Sequence, residues 1–304
     1  MVKEKKIKIG FNREFECEYG VMVQVSPMVR RIIANNPGPY TFKGTGTYII
    51  GSEKVAVIDP GPNDKNHVDA LMAALDGEEI THQLITHTHS DHSPAAKLIK
   101  ARTGSKTYGF GSHGSGTYSK GFTVEAGGDM EFVPDIVLKD GDAVRGENWT
   151  INCIHTPGHT SNHLCFHLDE ENVLFPGDHV MGWSTTVVSP PDGNMSEYLD
   201  SLRKLAERND RIYYPTHGAP IESPQRFVRA ITVHRKMRES QILDCLDKEI
   251  STVLLMVEHM YKGLDDRLLG AAQHSIFAHI IDLSNRGVIE SQDEMSIRSE
   301  YSRI

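Results

Sequence analysis

Residues 86–92 read Thr-His-Thr-His-Ser-Asp-His and place three imidazoles and one carboxylate within positions 87–92. The short segment before them, 83–85, predicts the end of a buried strand. His87 and His89 are two positions apart, so on extended backbone their side chains point the same way. Asp91 and His92 lie past the strand end and can turn toward a second ion. Because imidazole and carboxylate suit zinc and similar ions, this stretch predicts a metal site.

Three later segments repeat one pattern, in which an apolar strand is followed by a turn and then by a metal-binding side chain. They read Thr-Pro-Gly-His-Thr at 156–160, Phe-Pro-Gly-Asp-His at 175–179 and Tyr-Pro-Thr-His-Gly at 214–218. The candidate ligands are His159, Asp178 and His217. Ligands at strand ends, held by glycine and proline turns, are what a preorganised metal site needs. One such histidine alone would more often be structural, but the joint occurrence favours metal binding.

The composition is that of an ordinary globular protein of about two domains, with 304 residues, 38% hydrophobic residues and a mean hydropathy of −0.37. The net charge of −9 argues mildly against a nucleic-acid binder. The four cysteines form no CxxC pair and are expected to be reduced thiols. No long apolar run predicts a membrane span, and no apolar region follows the basic residues 3–6 as a secretory signal would require. We therefore expect a cytoplasmic protein that has no membrane partner.

Strand and helix patterns alternate in two similar halves, each of which runs from strands through ligands to a helix. Strands are predicted at 21–33, 41–50, 54–59 and 79–86, among others. This pattern predicts an α/β fold with two stacked sheets and outer helices, a four-layer αββα sandwich over residues 1–222. Residues 223–304 are mostly helical and end in a short strand, which predicts a small winged-helix-like domain. The Gly- and Ser-rich loop 109–121 is either a lid over the site or a surface excursion.

The four segments THTHSDH, TPGHT, FPGDH and YPTHG resemble the ordered signature of the metallo-β-lactamase superfamily, over roughly residues 40–220. Asp59 in Val-Ile-Asp-Pro-Gly, 57–61, is similar to the strand-end aspartate of that family, which supports metal-bound histidines by hydrogen bonding. The resemblance implies two divalent ions, of which zinc is favoured and manganese or iron stays open. It assigns the first ion to His87, His89 and His159, and the second to Asp91, His92 and His217, with Asp178 between them.

The resemblance also implies a reaction. A hydroxide held between the ions would attack a carbonyl carbon or a phosphorus, and Asp91 and Asp178 would take part in catalysis. His163, four residues after His159, is expected to touch substrate or donate a proton; the alternative is a structural role at a strand end. True β-lactamases of this fold have cysteine where Asp178 stands, which argues against antibiotics as the native substrate. Glyoxalase II enzymes continue their last histidine as His-Glu-Tyr-Thr, whereas this chain has His-Gly-Ala-Pro at 217–220.

Other stretches, at 46–48, 185–187, 198–202 and 234–243, are similar to the lactamase-β-like protein 2 branch, whose members include a single-strand endoribonuclease. The winged-helix region is not basic, although one patch of positive residues lies on a predicted helix. That patch is either an RNA contact or a solvated helix face, and it consists of Arg226, Arg229, Arg235, Lys236 and Arg238.

Three hypotheses follow. The first is a dinuclear metal-dependent hydrolase of a small ester, thioester, lactone or phosphodiester. The second is a metal-dependent single-strand endoribonuclease, so RNA remains a candidate partner. The third is a non-enzymatic winged-helix module that binds nucleic acid or a protein and uses the metal site as a sensor. The sequence leaves the oligomeric state open, and a dimer is one option.

Overall fold

The computed structural model describes residues 9–115 and 127–304. Its helices, α1 to α6, are Lys65–Ala74, Ala95–Thr103, Met195–Ala206, Pro224–Leu246, Val253–Met260 and Leu269–Asn285, and a 3₁₀ helix spans Asp266–Leu268. Its strands, β1 to β14, are Val23–Ser26, Val29–Ile33, Gly46–Ile50, Lys54–Ile58, Glu79–Leu84, Lys106–Gly109, Ile136–Val137, Ala143–Arg145, Thr150–His155, Leu164–Leu168, Val173–Phe175, Ile212–Tyr213, Ile289–Ser291 and Tyr301–Arg303.

Two sheets form the body of the protein. The first holds β1 to β7 in chain order, antiparallel from β1 to β4 and parallel from β4 to β7. The second has the order β12-β11-β10-β9-β8, with only β11 and β12 parallel. The predicted strand 21–33 is a hairpin of β1 and β2 instead, because Pro27 and Met28 form a turn between them.

The sheets pack face to face, and helices cover their outer faces. Strand β4 demonstrates this arrangement, since its residues alternate between two apolar cores. Ala56 and Ile58 face the second sheet, where Phe166 and Phe175 belong to the same core. Val55 and Val57 face α1 and α2 in a separate core. The outer face of the second sheet is covered in the same way by α3 and the first half of α4. The four-layer αββα prediction is therefore confirmed.

The C-terminal residues form a winged-helix unit with its own core. Helices α5 and α6 and the hairpin of β13 and β14 enclose that core. Helix α4 joins it to the sandwich, because its residues Phe227, Val228 and Ile231 lie in the core shared with α3, whereas Ile242 and Cys245 lie in the winged-helix core. The predicted division at 222/223 thus stays a prediction, since the change of core falls inside a continuous helix.

None of the helices in the described ranges is both long and apolar enough to cross a bilayer.

The predicted loop 109–121 falls partly outside the described residues, since residues 116–126 are not described.

Candidate metal centre

The predicted ligands lie at one edge of the sandwich because each follows a strand that ends there. Residues 87–92 follow β5, and Asp59 follows the neighbouring parallel strand β4. His159 lies in the turn between β9 and β10, Asp178 follows β11, and His217 follows β12.

Glycines make two of these turns possible. Gly158 has φ +129°, and a Cβ there would lie 2.3 Å from the backbone nitrogen of Tyr198. Gly177 has φ +50°, and its Cβ would lie 2.7 Å from His163 Nε2. Because L side chains rarely adopt these conformations and have no room here, glycine lets the chain place His159 and Asp178 at the strand edge.

Three imidazoles converge in a first group. His89 Nδ1 lies 3.0 Å from His87 Nε2 and 3.1 Å from His159 Nε2. A tetrahedral zinc ion with bonds of about 2.0–2.1 Å to nitrogen would hold its ligand atoms about 3.4 Å apart. The three nitrogens therefore already stand near the spacing that one ion requires.

A second group combines two imidazoles with carboxylates. Asp91 Oδ2 lies 3.2 Å from His217 Nε2 and 3.4 Å from His92 Nε2. Asp178 Oδ1 lies 3.3 Å from His217 Nε2, and Asp178 Oδ2 lies 3.6 Å from His92 Nε2 and 3.9 Å from His159 Nε2. Asp178 is thus the one described side chain whose oxygens approach ligand nitrogens of both groups.

Unpartnered buried atoms support the fit to metal ions. His92 Nε2 and Asp178 Oδ1 are both buried, and neither has a hydrogen-bond partner among the described residues. Buried polar atoms without partners are costly, so their convergence on one point is explained if cations bind there. Three sets of side chains, each with ligand atoms within 4.8 Å of one another, could hold an ion: His87, His89 and His159; His87, His92 and Asp178; Asp91, His92 and His217.

Hydrogen bonds to the opposite ring nitrogens orient three of the imidazoles. His92 Nδ1 donates to Asp59 Oδ2 at 2.8 Å, and His217 Nδ1 donates to the Gly44 carbonyl at 3.1 Å. His159 Nδ1 donates to the Val187 carbonyl at 2.7 Å. Such bonds fix the tautomer and leave Nε2 available to a metal.

Asp59 is buried and organises several of these contacts. Its Oδ1 accepts a bond from the Thr86 backbone N–H at 2.8 Å. Its Oδ2 accepts bonds from the Thr86 hydroxyl at 2.8 Å and the Thr216 hydroxyl at 3.2 Å. The Thr86 hydroxyl in turn lies 3.0 Å from His87 Nδ1, which can donate to it. One carboxylate therefore supports the ring orientations of His92 and His87.

The charges of the site are arranged for cations. Burial lowers the pKa of His217, but the carboxylates of Asp178 and Asp91 outweigh burial and raise that pKa to about 10. Burial also lowers the pKa of His92, which the carboxylates of Asp91, Asp178 and Asp59 raise well above its usual value. Burial raises the pKa of Asp178, but the neighbouring imidazoles of His217 and His92 outweigh burial and hold this pKa well below its usual value. Protons on His217 and His92 thus balance the negative charge of the two carboxylates, as bound metal ions would.

His163 lies beneath the cluster rather than on its open side. Its side chain has no exposed surface, its ring centre is 5.1 Å from that of His87, and its Nδ1 is 2.9 Å from the Thr156 hydroxyl. Burial, together with His179 and His159, lowers the pKa of His163 well below its usual value. His179 is also fully buried, against Tyr198, with 4.5 Å between ring centres. Neither residue lines the cavity described next.

A cavity of about 680 Å³ opens onto the ligands. Its walls include residues of the segment 181–191 and of the start of α6. The wall away from the ligands is largely apolar, and it includes Tyr40, Met181, Trp183, Val187, Pro190, Pro191, Leu268 and Ala271. Among the described residues that line the cavity, none is lysine or arginine. Outside the ligand set, its titratable described residues are Tyr40 and His274.

Sequence reasoning missed three groups of this site. The Thr45 hydroxyl donates to Asp91 Oδ2 at 2.8 Å, and the carbonyls of Gly44 and Val187 orient His217 and His159. Backbone carbonyls carry no residue-type signal, so no motif could have revealed them. Gly44 and Thr45 directly precede β3, and a glycine beside a polar residue at a strand start was the one sequence signal for these contacts.

Known protein families match both parts of this chain. Residues 41–217 match the metallo-beta-lactamase superfamily, and residues 252–298 match the beta-lactamase associated winged helix domain. Lactamase-like protein adaB of Aspergillus niger is 33% identical over 268 residues, which cover 81% of this chain and 76% of that protein. Atrochrysone carboxyl ACP thioesterase dmxR1 of Cryptosporiopsis sp. is 30% identical over 244 residues, which cover 79% of this chain and 69% of that protein.

Solved structures resemble nearly the whole chain. A metallo-beta-lactamase family protein from Thermus thermophilus superposes with a TM-score of 0.76 at 20% identity, covering 92% of this chain and 100% of that one. A beta-lactamase domain protein from Burkholderia ambifaria gives a TM-score of 0.77 at 20% identity, with 96% of each chain covered. At this identity the likeness extends to the fold alone.

Proposed function

Because the chain belongs to the metallo-beta-lactamase superfamily and is a hydrolase of that superfamily, we propose that it uses two divalent metal ions to hydrolyse acyl thioesters. The observation that carries the proposal is the position of Asp178 between two ligand groups that open onto one apolar cavity. Zinc is the favoured ion, because imidazole-rich sites with a tetrahedral ligand spacing suit it.

Each ligand group has its own part in this proposal. His87, His89 and His159 would hold one ion, Asp91, His92 and His217 the other, and Asp178 would contact both. Ions bound there would supply Lewis acidity, which would acidify the attacking water and stabilise charge that develops on a carbonyl oxygen. Asp91 and Asp178 would then lie beside the reacting position, where a carboxylate oxygen of either could accept a proton.

His163 takes a different role in this proposal from the substrate contact expected of it. Because its ring is buried behind His87 and lies outside the cavity wall, we assign it to support the ring of His87. The thioester proposal fits this assignment. A thiol has a pKa of about 8.5 and leaves readily as thiolate, so the reaction makes little demand on a dedicated proton donor.

The walls of the cavity favour an acyl substrate over RNA. A polynucleotide gains most of its affinity from lysine and arginine contacts to phosphates, and the described cavity residues include neither. Aromatic and aliphatic side chains such as Trp183, Met181 and Leu268 instead suit an apolar acyl chain. Relatives named as carboxyl ACP thioesterases support the same substrate class.

One screen tests the proposal. Purified protein loaded with Zn²⁺ is given acyl thioesters of N-acetylcysteamine, a lactone, a phosphodiester and unstructured RNA, with thiol release or product formation as the readout. We expect about two metal equivalents per chain, one for each ligand group, and the highest kcat/KM on a thioester. A metal-free native protein, or RNA cleavage without thioester turnover, would refute it, while RNA cleavage that survives Asp91→Ala would indicate a contaminant.

A further inference from the structure

The segment from Asp178 to Val187 serves both ligand groups and is tied back on itself. The Thr186 hydroxyl donates to the Asp178 carbonyl at 2.5 Å and lies 3.2 Å from the His179 carbonyl. The next residue, Val187, offers its carbonyl to His159 Nδ1. The position of the Thr186–Val187 peptide therefore affects both the orientation of His159 and the backbone at Asp178.

Arg235 of α4 reaches this peptide from the outer helical layer. Its guanidinium Nη2 donates to the Thr186 carbonyl. The centre of the guanidinium lies 5.1 Å from the ring centre of Tyr198 in α3, and the Tyr198 hydroxyl donates to the His179 carbonyl at 3.0 Å. Helices α3 and α4 thus hold the segment near both of its ends.

The environment of this arginine is unusual for a charged side chain. Arg235 is only 4% exposed, and no carboxylate in the described ranges lies within ion-pair distance of it. Its Nε is buried and has no hydrogen-bond partner within those ranges. Burying a guanidinium without a counterion is costly, so a packing role alone would be met better by an apolar residue.

Arg238, one turn further along α4, provides the contrast. It stacks on Tyr261 at 4.2 Å and donates to the Gln241 side chain at 2.9 Å, and neither of these partners belongs to the segment 178–187. Both arginines belong to the positive patch found in the sequence, yet Arg235 is the one that touches the backbone that orients a ligand.

We propose that Arg235 is a positioning residue of the metal centre, which fixes the Thr186–Val187 peptide and through it the carbonyl that orients His159. The inference rests on the proposed function, since it requires that His159 bind a metal ion. It assigns to the long helix α4 a contribution to metal affinity and not only to packing.

The test compares Arg235→Met, Arg235→Lys and the matched control Arg238→Met by titration with Co²⁺, followed through its visible absorbance. We expect Arg235→Met to weaken Co²⁺ binding about tenfold, which is the low end of the effect of outer partners on metal affinity. Arg235→Lys keeps one donor for the Thr186 carbonyl and should restore part of that loss. Arg238→Met should bind Co²⁺ as the wild type does, even if its melting temperature falls.

A second comparison identifies the route of the effect. In a His159→Ala background, Arg235→Met should weaken Co²⁺ binding much less than it does in the wild-type background, because the main side chain through which it acts is gone. A loss there as large as in the wild-type background, an Arg235→Met affinity equal to that of the wild type, or an equal loss in Arg238→Met would overturn the inference. If Arg235→Met does not fold, Arg235→Gln, whose side chain is shorter and uncharged, replaces it, and a wild-type Co²⁺ affinity in that variant would overturn the inference. Wild-type protein that binds no Co²⁺ would refute the proposed function, and the inference with it.

Discussion

His92 and Asp59 form a buried pair in which Nδ1 of the imidazole donates to Oδ2 of the carboxylate at 2.8 Å. The same carboxylate accepts two hydrogen bonds from Thr86, whose hydroxyl contacts His87. Asp59 therefore holds Thr86, His87 and His92 in place together. Because the bond fixes the proton on Nδ1, it directs Nε2 of His92 toward Asp91 and Asp178.

Asp59→Asn tests this pairing. The amide keeps the shape of the carboxylate but loses its charge, so His92 becomes a weaker ligand. We expect metal affinity to fall by about 10–100-fold, measured by competition with a chromophoric chelator. Asp76→Asn, at an exposed position of the loop after α1, is the control and should bind metal normally. Equal affinities in the two variants would contradict the role of Asp59.

Asp178→Ala should remove the one described side chain that the two ligand groups share. Removing the one described side chain near both of them should lower the metal content from about two equivalents toward one, and should lower kcat/KM by roughly 10²–10³-fold, the size typical of losing one preorganised electrostatic group. Elemental analysis and thioester kinetics measure the two effects, and circular dichroism checks that the fold persists. Full turnover in this variant would eliminate the proposed mechanism.

Metal binding should release protons. Since carboxylates raise the pKa of His217 to about 10, the metal-free site carries its proton at neutral pH, and an incoming ion must displace it. Affinity for Zn²⁺ should therefore decrease as the pH falls, by up to about tenfold per unit for each proton released. Calorimetry in buffers of different ionisation enthalpy measures the release. Heats that do not depend on the buffer would count against it.

His279→Leu should stabilise the protein. His279 in α6 is buried, and neither ring nitrogen has a hydrogen-bond partner among the described residues. Replacing unsatisfied polar atoms with an apolar side chain should raise the free energy of unfolding by about 1–3 kcal/mol. Urea denaturation at neutral pH measures the change, with Leu283→Ala, a core truncation in the same helix, as a destabilising reference. A clear loss of stability in His279→Leu would show that the imidazole makes a stabilising polar interaction in the folded protein.

The same substitution should alter acid sensitivity. Burial, with nearby Arg235 and His234, lowers the pKa of His279 to about 3, whereas the unfolded chain titrates near its ordinary value of about 6.5. Between these values the unfolded state binds a proton that the folded state does not, so the wild type should lose stability as the pH falls from about 6.5 toward about 3. The leucine variant should lose less. Denaturation midpoints over that range provide the comparison.

The sequence was sufficient to select the candidate ligands but not to reveal what positions them. His159, Asp178 and His217 could be selected because each follows a strand and a turn, and a strand end is a place that local pattern predicts. Arg235 could not be found, since it lies in a run of charged residues that resembles a solvated helix face. Its burial depends on the packing of α4 against α3, and its partner Thr186 is 49 positions away.

The fold was predictable for a similar reason. Alternation along β4 with both faces apolar requires cover on each side, and this favoured a layered sandwich. The contribution of Leu268, Gly270, Ala271 and His274 to the cavity was not predictable, because it depends on where the winged-helix unit docks. Local periodicity defines the helix that carries these residues but not the surface it meets.

Residues Phe227, Val228 and Ile231 of helix α4 pack in the core on the outer face of the second sheet, and the helix then continues into the winged-helix unit. A gene fragment cut at the apparent domain boundary would therefore encode a sandwich whose outer layer lacks a covering helix, with apolar surface exposed to water. A fragment that is meant to fold as the hydrolase part must therefore carry this helix with it.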